Sequence, residues 1–124
     1  MPNAFDPNQV PDIRVTLEVV QNDAELNAYI EMGDAYLGAI GYTEHGLRHA
    51  NLTAHIASNV LHRLGYSDHV AEVAGIAGFM HDIGNCVSRD SHWISSAFIA
   101  RDALTRLGMP YPDVATVMNA VGNH

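Results

Sequence analysis

The sequence predicts an all-α protein, a compact bundle of five or more helices behind a short N-terminal arm. Three observations predict it. Apolar residues recur at helical spacing through successive segments of the chain. Glycines suited to helix C-termini follow those segments, at Gly41, Gly65, Gly84 and Gly108. The one ambiguous apolar stretch, Val15 to Val20, finds no second strand to pair with.

Residues 1–14 read as the arm, because three of the five prolines fall within the first twelve positions. One helical domain follows over 15–124, with no internal repeat or linker. Val15 to Val20 reads as a short helix opened by Thr16 as N-cap. Asp23 to Ile40 carries Leu26, Tyr29, Ile30, Leu37 and Ile40 at helical spacing. Thr43 to Leu64 repeats Leu47, Ala50, Ala54, Ala57, Val60, Leu61 and Leu64. Ser67 is a good N-cap for the next helix, Asp68 to Ile83. That helix is apolar around most of its circumference (Val70, Val73, Ala74, Ile76, Ala77, Phe79, Met80), so it should be central. A further helix runs from Asp90 to Leu107. The last spans Asp113 to Val121, after the Met-Pro-Tyr-Pro turn. Met32, Met80, Met109 and Met118 read as core filler, and Trp93 as packing.

Composition narrows the function. A chain of 124 residues, 48% hydrophobic and 16% charged, is one ordinary globular domain with one core. No apolar run approaches the roughly 20 residues that a membrane span needs, so no membrane partner is expected. The N-terminus lacks the basic start and apolar stretch of a secretory signal, and the single cysteine, Cys86, cannot form an internal disulfide. The expected compartment is the cytoplasm. The formal net charge is −8, and all six basic residues are Arg. Bulk nucleic-acid binding is therefore not expected. A phosphate ligand would have to be met locally, by metal ions or by one or two Arg. Self-association into a homo-oligomer stays open. The eight histidines invite a search for a metal site.

His81 and Asp82, adjacent at the end of the central helix, offer a nitrogen and an oxygen to one cation from one rigid backbone. An acid at a helix C-terminus is disfavoured by the helix dipole, so Asp82 needs a positive partner. An interior His beside a surface acid is the plainer reading of such a pair taken alone. His49 lies four residues after His45, about 40° further round one predicted helix, so the two would share a face. The metallopeptidase pattern would need Glu where Gly46 stands. His49 is read as supporting the site or lining a pocket, with core packing an equal alternative. His55, His62 and His69 are expected at the surface.

Residues 74–84, AGIAGFMHDIG, resemble the apolar helix and His-Asp-Ile-Gly of the HD-domain metal-dependent phosphohydrolases. His45-Gly-Leu-Arg48 is similar to that family's first ligand motif. The stretch from His92 to Ala97 resembles the His and small-residue segment opening the next helix. His124 resembles the further His of two-metal members. The resemblance covers residues 43–124.

It implies His45, His81 and Asp82 as ligands of a first metal, with His92 and His124 serving a second. The chain departs from the family in having Asn85 where many members have Lys. It also stops before the later Asp that normally completes the site, so a shortened form is expected.

Imidazole and carboxylate ligands without thiolate suit one or two divalent ions of Mn, Fe, Ni or Zn, and Mg less well. Arg48 and Arg89 are the candidates for holding phosphate oxygens, with a surface position the equal alternative for each. With Asp82, they would form the catalytic set. The leading function is hydrolysis of a phosphate ester or anhydride of a nucleotide or another small phosphorylated metabolite. The alternatives are a metal-dependent ligand-binding or sensor module with weak turnover, and a metal-free helical interaction domain.

Overall fold

The computed structural model describes residues 15–124, so the N-terminal arm lies outside the described residues. Among these, the structure is all helical. α1 spans Leu17–Gln21, α2 Ala24–Ala39, α3 Leu47–Arg63 and α4 Asp68–Met80. A 3-10 turn, Ile83–Cys86, precedes α5 (His92–Leu107) and α6 (Tyr111–Gly122).

The helix starts follow local side-chain chemistry. Thr16, Asp23 and Ser67 each cap the helix after them by accepting from a backbone N–H three residues on, at Val19, Leu26 and Val70. The short Val15–Val20 segment is thus a helix, as expected. Its first N–H, on Leu17, donates to Glu72 Oε1 at 2.6 Å and ties α1 to α4. α6 begins at Tyr111 rather than Asp113, because Pro112 is compatible with a helix's first turn.

α4 is the central helix, as its apolar circumference predicts. Ala71, Val73, Ile76, Ala77, Phe79 and Met80 are buried between α1, α3 and α6. α3 and α4 form one hairpin around Gly65, and α5 and α6 another around Gly108. Both glycines hold φ near +90°, which few other residues tolerate. The α3–α4 contact is close. A Cβ on Gly78 would stand 3.0 Å from the Thr53 carbonyl oxygen, so α4 accepts glycine there at some cost in helix propensity.

Three further helix boundaries differ from the expected ones, and each of these differences shapes the site. α3 starts at Leu47 rather than Thr43. Gly46, extended at φ −86° and ψ −158°, stands at its N-cap, and Asp34 of α2 accepts from the His45 N–H at 2.9 Å. His45 therefore sits in the preceding loop and does not share a helix face with His49. α4 ends at Met80 rather than Ile83, and Asp82 turns out of the helix at φ −112° and ψ 6°. α5 starts at His92 rather than Asp90, after Ser91 in the left-handed conformation at φ 52°. That conformation costs a non-glycine residue about 1 kcal/mol, a strain placed one residue before a site histidine.

Candidate metal centre

Asp82 is the hub of the site. Leaving α4 and entering the 3-10 turn, it projects a carboxylate with two histidines at each oxygen. Oδ1 lies 3.0 Å from His92 Nε2 and 3.5 Å from His124 Nε2. Oδ2 lies 3.0 Å from His81 Nε2 and 3.5 Å from His49 Nε2. The five residues come from the α3 start, the α4 end, the α5 start and the α6 end. The two helical hairpins thus bring their open ends to one place.

Gly84 fixes how the Asp82 turn meets α5. Its N–H donates to Ser96 Oγ at 2.8 Å, and a Cβ there would stand 2.6 Å from Ser96 N and 2.8 Å from Ser95 Cβ. No side chain fits. The glycine of His-Asp-Ile-Gly thus lets Asp82 and His92 approach.

The ring orientations are set by the backbone. His81 Nδ1 lies 2.6 Å from the Gly78 carbonyl, His92 Nδ1 3.2 Å from that of Arg89, and His124 Nδ1 2.6 Å from that of Val121. A carbonyl can only accept, so each Nδ1 carries the proton and each neutral ring leaves Nε2 as a bare lone pair. Those lone pairs face Asp82 and one another. The His92 and His124 Nε2 atoms are 3.2 Å apart, and those of His49 and His81 3.4 Å. The lone pairs of His81, His92 and His124 and the Asp82 carboxylate, gathered this closely, repel unless a cation or extra protons join them. This donor set fits a divalent metal, and its backbone-held Nδ1 protons are the usual support of a metal-bound imidazole.

Two ligand groups share Asp82. His49, His81 and Asp82 each offer an atom within 4.8 Å of the others, and so do Asp82, His92 and His124. Asp82 and His92 are the most enclosed, with side chains 14% and 10% exposed, whereas His49 is 36% exposed. The cluster therefore opens to solvent past His49 and His124.

Electrostatics follow the same geometry. Burial alone would raise the Asp82 pKa, but when the imidazoles are protonated a hydrogen bond from His81 and the charges of His81, His92 and His124 hold it well below the usual carboxylate range. Burial works to lower the His81 pKa, yet Asp82 and the Gly78 carbonyl raise it on balance. Burial lowers that of His92, reinforced by the Arg89 and His124 charges, against the Arg89 carbonyl and Asp82.

Of the predicted site residues, the structure brings together His81, Asp82, His92 and His124. His45 stands outside both ligand groups. Its ring is 5.4 Å from that of His49, and its Nδ1 bonds the Thr43 carbonyl at 2.7 Å. His49, read from the sequence as supporting the site, offers its Nε2 to the His81–Asp82 group. Arg48 points into solvent, 86% exposed, 3.6 Å from Glu44. Arg89 is half-buried in the loop before His92. As expected, His55, His62 and His69 are exposed. His69 bonds Asp113 across α4 and α6 at 3.0 Å. Trp93 sets its ring edge-on to His92, with centroids 5.4 Å apart.

Comparison with known proteins agrees with this picture. The uncharacterized protein MJ1020 of Methanocaldococcus jannaschii is 28% identical over 109 residues, an alignment covering 76% of this chain and 42% of that protein. The chain thus spans less than half the length of that relative. No solved structure matches. The HD-domain family model matches residues 42–124, which hold every residue of the Asp82 cluster, and by that match the chain belongs to the HD-domain family.

Proposed function

We propose that the chain is a metal-dependent phosphohydrolase that cleaves a phosphate ester or anhydride of a nucleotide or another small phosphorylated metabolite. One observation carries the reading. Two pairs of imidazole nitrogens meet across the two oxygens of a single carboxylate, with His49 and His124 partly exposed to solvent. Membership of the HD-domain family, typical of metal-dependent phosphohydrolases, supports it.

The residues divide the work. His49, His81 and Asp82 would hold one divalent ion and Asp82, His92 and His124 a second, with Asp82 shared. Mn, Fe, Ni and Zn suit this donor set better than Mg. Bound divalent ions supply Lewis-acid stabilisation of a phosphoryl group and a more acidic water. The protein's own part is orientation. The Gly78, Arg89 and Val121 carbonyls fix three imidazole rings, and Gly84 fixes the spacing of Asp82 to α5. We place the protein in the cytoplasm, in keeping with its single cysteine.

The test is turnover of a panel of phosphomonoesters and nucleotides by protein loaded with each metal. Hydrolysis that Asp82→Ala abolishes supports the reading. Metal-loaded protein that binds phosphorylated ligands without turning any over identifies a binding or sensor module instead.

A further inference from the structure

Resting on the phosphohydrolase reading, we propose that Tyr42 and Asn85 are positioning residues that hold the Arg89 guanidinium, its charge uncancelled, to grip the phosphate of the substrate beside the metal centre. The chain has fourteen acidic residues and six Arg, so a basic side chain easily finds a carboxylate. Arg48 lies 3.6 Å from Glu44, Arg101 3.1 Å from Asp102, and Arg106 2.7 Å from Asp23. Among the described residues, Arg89 and the exposed Arg63 have no carboxylate within 4.0 Å, and of the two only Arg89 is part-buried.

Its partners are neutral. Nη1 donates to Asn85 Oδ1 at 3.3 Å, and Cζ sits 5.1 Å from the centre of the Tyr42 ring. An amide oxygen and an aromatic face orient a guanidinium without neutralising it. A carboxylate in the same place would take up the bidentate fork that matches a phosphate.

Asn85 shows that this orientation is enforced. It is 4% exposed, and its Nδ2 is buried without a partner. Turning the amide over would set its NH2 against the guanidinium, donor against donor. The buried amide therefore keeps its oxygen on Arg89 and leaves its own donors unsatisfied, an arrangement a purely structural Asn would avoid.

The grip is tied to the centre at both ends. Asn85 N–H donates to the Asp82 carbonyl at 3.0 Å, and the Arg89 carbonyl takes the Nδ1 proton of His92. Arg48, exposed and paired, lacks these features.

The experiment is calorimetric titration of inorganic phosphate into the Mn²⁺-loaded full chain, with KM and kcat measured on a hydrolysed ester. Arg89→Gln and Asn85→Asp should each weaken phosphate binding about tenfold or more and raise KM to match, with Mn²⁺ affinity unchanged. Asn85→Asp is the sharper variant, because it keeps size and supplies the carboxylate that cancels Arg89. Tyr42→Ala should weaken binding about threefold and Tyr42→Phe should restore it. Arg63→Gln, which changes net charge equally at the exposed end of α3, should bind like wild type.

Phosphate affinity and KM in Arg89→Gln within twofold of wild type would overturn the grip while leaving the hydrolase reading intact. Metal-loaded wild type that neither binds phosphate nor hydrolyses any ester would overturn both. Should Asn85→Asp fail to fold, the Arg89 and Tyr42 variants decide the matter alone.

Discussion

His92 and His124 face each other with their Nε2 atoms 3.2 Å apart while both Nδ1 atoms bond backbone carbonyls. In neutral rings, two lone pairs then point across a gap where neither has a proton to share. On the other side of Asp82, His81 Nε2, its own Nδ1 likewise on a carbonyl, lies 3.4 Å from His49 Nε2. Bundles bury side chains to escape water, but this one converges acceptors on acceptors. A bound cation turns that repulsion into coordination.

Metal should stabilise the fold, and the gain should depend on pH. An ion that binds only the native state adds about 2.7 kcal/mol when present at 100 times its Kd. Melting temperature should rise on adding Mn²⁺ or Zn²⁺ at pH 7.5. Protons compete for the imidazoles, so the rise should shrink toward pH 5. An equal rise at both pH values would contradict histidine ligation.

His49 and His45 should behave differently. His49→Ala removes an atom from the His49–His81–Asp82 group, so affinity for that ion should fall by about 10-fold or more, a loss of about 1.4 kcal/mol. His45→Ala touches neither group and should leave metal binding close to wild type. Equilibrium dialysis against a chelator distinguishes them, and a larger loss in His45→Ala would reverse the assignment.

The difference between these two histidines shows what the sequence makes legible. Helix caps and stops are local chemistry, so Thr16, Ser67, Gly65 and Gly108 could be read directly, as could the central α4 from its apolar circumference. His81, Asp82, His92 and His124 were legible because their motifs are short and contiguous. His49 was hidden by tertiary structure. Asp34, from another helix, holds the His45 loop and delays α3 to Leu47. Gly78 packs on Thr53, so one turn back in α3 and one turn on in α4 sets His49 opposite His81. The 3-10 turn was unreadable because it depends on Gly84 meeting α5.

Gly84→Ala should be severely destabilising. The added Cβ would lie 2.6 Å from Ser96 N and 2.8 Å from Ser95 Cβ, against backbone that cannot easily retreat. A cost of about 3 kcal/mol is expected, with weakened metal binding as Asp82 and His92 separate. Urea denaturation measures it, and a loss below about 0.5 kcal/mol would show that the turn can shift freely.

Asp23 links the bundle to pH by a different route. It caps α2 through the Leu26 N–H and bonds Arg106 of α5 at 2.7 Å. Burial would raise its pKa, but Arg106 and the backbone bonds lower it below the ordinary 3.8. A carboxylate depressed in the folded state adds stability that is full above its unfolded pKa and lost as pH falls through the folded one. Asp23→Ala should therefore cost about 1 kcal/mol at neutral pH, and this difference from wild type should shrink as pH falls below 3.8 and through the lowered folded pKa. A difference that persists undiminished at pH 2 would assign the effect to packing.

The most direct test of the account is metal stoichiometry by elemental analysis, on wild type and Asp82→Ala loaded in parallel and freed of loose ions. The shared carboxylate predicts up to two ions per wild-type chain and neither held by Asp82→Ala, with the helical content of both preserved. Wild-type protein that retains no ion after loading with Mn²⁺, Fe²⁺, Ni²⁺ or Zn²⁺, or an Asp82→Ala chain that retains as many as wild type, would contradict a metal centre built around Asp82.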